Sequence, residues 1–231
     1  GRLPLGCKII GREAFYGCHL RKPVVFPDTL TEIRTRAFAE NCNLSQVSFP
    51  ASLQKLGEQC YKNCNNLKAV RFAPDSRCTE IPEEAFAGCV KLSELTLPVG
   101  TEIIEKRAFY KCKELKKVQL PESLLRIGEQ AFYFCGIEEL ELPEGLQELG
   151  DKAFFKCNGL RNVFVPKSVR KIGEGVFHGC NRLEYLEIHH DPEEIGPGIV
   201  NKSCTIRCRK GSRMDAYCEE NGLKTEYIDE R

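Results

Sequence analysis

Apolar residues return along this chain at intervals of about 23, with polar residues filling the positions between them in a repeated order. An Ile or Leu, usually followed by Gly, stands at Ile10, Ile33, Leu56, Ile81, Ile104, Ile127, Leu149, Ile172 and Ile195, with gaps of 22 to 25 residues. Four residues after each marker comes a small residue and, in most copies, an aromatic, as in Ala14-Phe15, Ala108-Phe109 and Val176-Phe177; the ninth copy carries Ile199-Val200 instead. Three or four residues further on is a Cys, at Cys18, Cys42, Cys64, Cys89, Cys112, Cys135, Cys157, Cys180 and Cys204. A fixed period of this length marks an array of stacked structural repeats.

The second half of each copy reads Leu-x-x-Val-x-Leu-Pro, as at 115–121, and its alternation with β-branched residues predicts a short strand that proline ends. Equivalent strands are expected at 47–49, 70–72, 95–97, 140–142, 163–165 and 186–188. One such unit cannot bury its own apolar face, so the copies must stack around one continuous core, which makes the chain a solenoid. Strands at the usual spacing in nine copies give a face roughly 40 Å long, enough for a macromolecule. After the ninth copy the period stops. The tail predicts strand, helix and strand, with Ser212 as N-cap, Met214, Tyr217 and Cys218 on one stripe, and Asn221-Gly222 as the stop. The N-terminus begins part-way through a repeat, with no equivalent cap.

Composition narrows the function classes without choosing a partner. The 231 residues are 42% hydrophobic, and 34 Lys and Arg stand against 33 Asp and Glu, a net charge of +1. No field of one sign draws the chain to nucleic acid or an anionic membrane, and no apolar run is long enough to insert in a bilayer. The first residues have neither the charged nor the apolar part of a secretory leader.

The pattern Ile-Gly-x-x-Ala-Phe-x-x-Cys-x-x-Leu-x-x-Val-x-Leu-Pro, repeated from about Leu5 to Cys208, resembles the BspA-like leucine-rich repeats. The resemblance implies a leucine-rich repeat solenoid: a right-handed β/α superhelix, β-rich, with short strands and a single helical turn per repeat of about 23 residues. Residues 1–190 then form the tandem repeats, about eight full copies, and 191–231 the degenerate ninth copy with the strand-helix-strand cap. It also implies a surface or secreted bacterial or protozoan protein, working as an adhesion or protein-binding scaffold. The copies depart from the pattern at Ile33-Arg34, Ile81-Pro82 and Ile104-Glu105, which lack Gly, and at Cys60, which replaces Ala. These changes are expected to shift a turn without breaking the stack.

Nine of the 14 cysteines fall at the repeat's Cys place and read as a buried ladder of small apolar side chains, not as disulfides. The other five are Cys7, Cys60, Cys78, Cys208 and Cys218; Cys78, in the copy with two extra residues, is expected to be an exposed thiol. Many unpaired thiols suit a reducing or anoxic setting, which leaves cytoplasm as the alternative to the surface. Catalytic signatures are weak. His178 stands two residues before Cys180 by repeat register, and His189-His190-Asp191 lacks further convergent ligands, so neither an enzyme nor a metal or cofactor site is expected.

Recognition is expected at the outward strand positions, which packing leaves free. One row runs Gln46, Ala69, Glu94, Lys117, Glu139, Asn162 and Tyr185; the other runs Ser48, Arg71, Thr96, Gln119, Glu141, Phe164 and Glu187. On a face expected to be concave, Arg71 and Lys117 make a basic half and Glu139, Glu141 and Glu187 an acidic half, with Phe164 and Tyr185 as an aromatic pair on neighbouring strands. This suits a surface for a protein or glycoprotein partner. The alternatives are two aromatics that stack only for strand stability, and a spacer or stalk array that carries another domain.

Overall fold

The computed structural model describes residues 1–228, so the last three positions of the 191–231 segment lie outside the described residues. In chain order the strands are β1 (Ile9–Ile10), β2 (Glu32–Ile33), β3 (Gln46–Phe49), β4 (Lys55–Leu56), β5 (Ala69–Phe72), β6 (Glu80–Ile81), β7 (Glu94–Thr96) and β8 (Ile103–Ile104). They continue as β9 (Arg126–Ile127), β10 (Glu148–Leu149), β11 (Asn162–Val165), β12 (Lys171–Ile172), β13 (Tyr185–Ile188), β14 (Glu194–Ile195), β15 (Thr205–Cys208) and β16 (Lys224–Tyr227). A helix, α1 (Arg213–Asn221), lies between the last two. All strand pairing is parallel and joins successive coils of a β-solenoid. Most coils offer two strands to their neighbours, so two ladders run along the array.

The shorter ladder is built on the Ile-Gly marker. It pairs β1 with β2 and β4, then β6, β8, β9, β10, β12 and β14 in sequence, with a break between β4 and β6. Proline explains the break. In other coils the residue after the marker donates its N–H to the marker carbonyl of the coil before, as Gly57 does to Ile33, Glu105 to Ile81 and Gly150 to Ile127. Pro82 has no N–H to give Leu56. Elsewhere the missing glycine is harmless, because Arg34 and Glu105 supply the same donor. At Gly150 the glycine is required by contact: a Cβ there would lie 2.6 Å from the backbone nitrogen of Glu129.

The longer ladder, on the Leu-x-x-Val-x-Leu segment, pairs β3-β5-β7 and then β11-β13-β15-β16. Between them, coils 5 and 6 (repeat segments 115–121 and 137–143) carry only a bridge of Lys117 with Glu139. The lapse brackets the one copy of 22 residues, shortened at Gly136, whose α-carbon packs so tightly that a Cβ would come 2.3 Å from the carbonyl oxygen of Lys113.

The core is a column of rings. Phe15, Phe38, Tyr61, Phe86, Phe109, Phe132, Phe154 and Phe177 stack in order with centroids 5.0 to 5.6 Å apart, and all but Phe15 are fully buried. Beside it runs a ladder of thiols with a definite bonding role. Cys64, Cys89, Cys112, Cys135, Cys157 and Cys180 each donate S–H to the ring residue's carbonyl in the coil before, at 3.1 to 3.4 Å. Desolvation raises the pKa of these buried thiols where a shift is resolved, to about 12 at Cys64 and Cys180, so they remain protonated donors.

That role corrects the nine-cysteine ladder. In the second coil the place is held by Asn41, fully buried, whose Nδ2 donates to the carbonyls of Phe15 and Phe38 at 2.7 and 2.8 Å. Cys42 falls one residue beyond and is half-buried. In the ninth coil Cys204 donates its N–H to Asn201, as Leu183 does to Cys180, so Asn201 holds the Cys place and Cys204 the Leu place. Asn41 keeps the donor that the thiols supply elsewhere, whereas Asn201 accepts the Gly179 N–H and donates to Asn181 Oδ1.

Two further expectations change. Cys78 is buried, not exposed: Ser76 takes the turn position held elsewhere by Leu53, and the two extra residues carry the Cys78 thiol inward to fill the volume. The turn after each marker is also not a helical turn. It is a run of tight turns, as in Ala14 to Gly11 and Tyr16 to Glu13, interrupted by left-handed residues such as Glu13 and Gln130. Among the described residues the one α-helix is α1. Ser212 Oγ accepts from the Asp215 N–H, Gly222 closes the helix at φ 64°, and Met214 and Cys218 are buried over β15 and β16.

Candidate functional site

The longer ladder fixes where the outward side chains stand. Register aligns Gln46, Ala69 and Glu94 in one row and Ser48, Arg71 and Thr96 in the next. At the other end it aligns Asn162, Tyr185 and Thr205, then Phe164, Glu187 and Arg207. Their inward neighbours Val47, Val70, Val163, Val165, Leu186 and Ile188 are 0 to 3% exposed. Arg71, Glu94, Lys117, Glu139, Glu141 and Phe164 are exposed, Tyr185 and Glu187 half-buried, and Ala69 alone of these rows is buried.

Charge on this face is more neutralised than the two rows suggested. Arg71 pairs with Glu94 at 2.5 Å and Lys117 with Glu139 at 3.5 Å, both across adjacent coils, so both cations of the basic half are matched, Lys117 by a carboxylate of the acidic half. Glu187 Oε1 lies 2.6 Å from His189 Nε2. Glu141 has no ion-pair partner among the described residues. Phe164 and Tyr185 do not stack on each other, because register sets Phe164 beside Glu187 and Tyr185 beside Asn162. The Phe164 ring meets His189 edge-on at 5.3 Å, and the Arg207 guanidinium lies 3.7 Å from the Tyr185 ring centre.

A second outward feature escaped the reading of strand positions. The residue after the core ring is Tyr110, Tyr133, Phe155 and His178 in four successive coils, and these rings stack at 4.9 to 5.7 Å outside the core. Arg107, Lys111 and Lys156 lie over them. The signal was present as Phe-Tyr, Phe-Phe and Phe-His dipeptides, hidden because the core period absorbs the first of each pair.

The weak catalytic candidates diverge. His178 stacks on Phe155 outside, while the Cys180 thiol points inward to the Phe154 carbonyl. His189 turns to Glu187 and His190 to the Val169 carbonyl at 2.7 Å. Among the described residues no group of three His, Cys, Asp or Glu side chains converges to hold a metal ion.

The sequence matches the profile of the BspA type leucine rich repeat region in six copies, over residues 2–98 and 79–207. The chain belongs to the BspA-type leucine-rich repeat family. No curated protein sequence matches this BspA-type chain. Solved structures that resemble it are bacterial repeat proteins. A leucine-rich repeat protein from Bacteroides ovatus is 21% identical with a TM-score of 0.64, the match covering 91% of this chain and 62% of that one. The leucine rich repeat protein of T. pallidum is 26% identical with a TM-score of 0.54, covering 88% of this chain and 85% of that one. One from Eubacterium ventriosum is 22% identical with a TM-score of 0.54, covering 77% and 42%. The BspA-type chain thus spans less than two thirds of the Bacteroides protein. No helix among its described residues is long and apolar enough to cross a membrane.

Proposed function

We propose that this chain is a non-enzymatic interaction or adhesion module that binds a protein or glycoprotein through its longer-ladder strand face, at a cell surface or after secretion. In this reading the face is the concave side of a right-handed superhelix, 1–190 is the binding array and 191–231 closes its end. The observation that carries it is the contrast across each strand. Inward residues are apolar and buried in coil after coil, while outward residues differ from coil to coil and include an aromatic, Phe164, that is 44% exposed. Packing does not require that variety, and recognition does.

Affinity capture from host mucosal extract and from the source cell's own lysate tests the reading, with wild type beside Glu139→Lys/Glu141→Lys and Phe164→Ser/Tyr185→Ser. A protein retained by wild type and lost with either face variant, at unchanged melting temperature, is the expected result. Retention indifferent to both pairs overturns it. The second reading, a spacer array, draws on the ring column that runs through eight coils without interruption and gives the rod axial continuity.

A further inference from the structure

The lapse in the longer ladder coincides with an opening and with unmatched charge. Beyond the Glu138 N–H that donates to Lys116 at 2.9 Å, no backbone hydrogen bond of normal geometry joins 118–120 to 140–142 among the described residues. The inward residues show the gap. Val118, Leu120, Leu140 and Leu142 are 5 to 8% exposed, against 0 to 3% for Val163, Val165, Leu186 and Ile188 on the paired strands. A hollow of about 610 Å³ opens there, lined by Lys117, Glu122, Glu139, Glu141, Glu144 and Phe164 together with those leucines. Four glutamates face one lysine, and Glu122, Glu141 and Glu144 are in no ion pair among the described residues.

We propose that this hollow is the seat of an extended, basic protein segment. The assignment rests on the strand-face reading above and names the chemistry of its partner. An extended peptide laid along the hollow alternates its side chains towards and away from the strand face, so every second residue meets the lining. The carboxylates then choose the side chains. An Arg or Lys head is a donor with no acceptor, suited to Glu141 and Glu139, and its alkyl stem has the partly exposed Leu120 and Leu142 to lie along. Lys117 holds part of Glu139 and competes with the incoming cation.

Fluorescence anisotropy with a short labelled peptide alternating Arg and Gly, against one alternating Glu and Gly, tests this. The Arg-Gly peptide binds and the Glu-Gly peptide does not; Glu139→Gln/Glu141→Gln weakens binding roughly tenfold, and raising the salt weakens it further. Lys117→Gln strengthens it. Glu219→Gln/Glu220→Gln on α1, where both residues are exposed, leaves it unchanged. Equal weakening by the α1 pair, indifference to Glu139→Gln/Glu141→Gln, or no binding at all overturns the proposal. Self-association of the free chain that the Glu139/Glu141 pair abolishes also overturns it, since a second copy then occupies the face. The two readings fail separately: with no peptide bound, capture that still depends on Phe164 and Tyr185 removes the hollow alone, and capture indifferent to every face variant removes the strand face with it.

Discussion

The two ladders run along the same coils and fail in different places. The Ile-Gly ladder is broken between β4 and β6, where β3, β5 and β7 of the longer ladder remain paired. The longer ladder lapses at coils 5 and 6, where β8, β9 and β10 remain paired. No junction between coils loses both. The ring column and the thiol ladder cross every such junction intact, so continuity resides in the core and in whichever ladder is closed. Backbone pairing on a given side is therefore dispensable locally, which frees that side for other uses.

The largest effect expected is alkaline unfolding, which attacks the feature common to both regions. Buried thiols have a folded pKa raised above the unfolded value, so the folded state holds more protons between them. Their stabilisation is complete below about 9 and is lost as pH rises towards about 12. Thermal melts across that range should show a falling Tm, and a flat profile would contradict the thiol ladder. Next comes Phe132→Ala, in the coil where the longer ladder lapses, which should cost about 3 to 5 kcal/mol in denaturant unfolding. Phe177→Ala, between β12 and β14 where both ladders are closed, should cost as much without the local opening that hydrogen exchange detects around 118–142.

Gly150→Ala strikes the surviving ladder beside the lapse. Its Cβ would press on backbone at 2.6 Å, and the expected loss is about 1 to 3 kcal/mol, read from the urea midpoint. The smallest effect is that of Pro82→Ala. It supplies a donor opposite Leu56, and the new amide at position 82 should exchange slowly while stability changes by about 1 kcal/mol or less. Fast exchange there after the substitution would place the cause of the break in the two extra residues instead.

Much of this was legible in the residues. The period, the buried marker and ring positions and most of the alternating strands follow from hydropathy alone, since those positions have one physical demand each; the strands expected at 115–121 and 140–142 reduce to a single bridge. What escaped has two demands at one position. Asn41 can replace Cys because the place needs a hydrogen-bond donor to the ring residue's carbonyl, which hydropathy does not report. Cys78 fills space left by Ser76, a compensation between two residues of one loop. The candidate face was legible as two outward rows, including Lys117, Glu139 and Glu141. Its pairing pattern was not, because the lapse lies at the shortened copy, where Gly136 packs on the backbone of the coil before.

The staggered breaks also bear on how such a rod yields to force. Where the longer ladder is open, only the Ile-Gly ladder and the core hold adjoining coils together, and at Pro82 the open and the closed side exchange places. Under tension along the axis these two junctions have fewer backbone hydrogen bonds to break than any fully paired one, and they are expected to open first, from opposite sides of the rod.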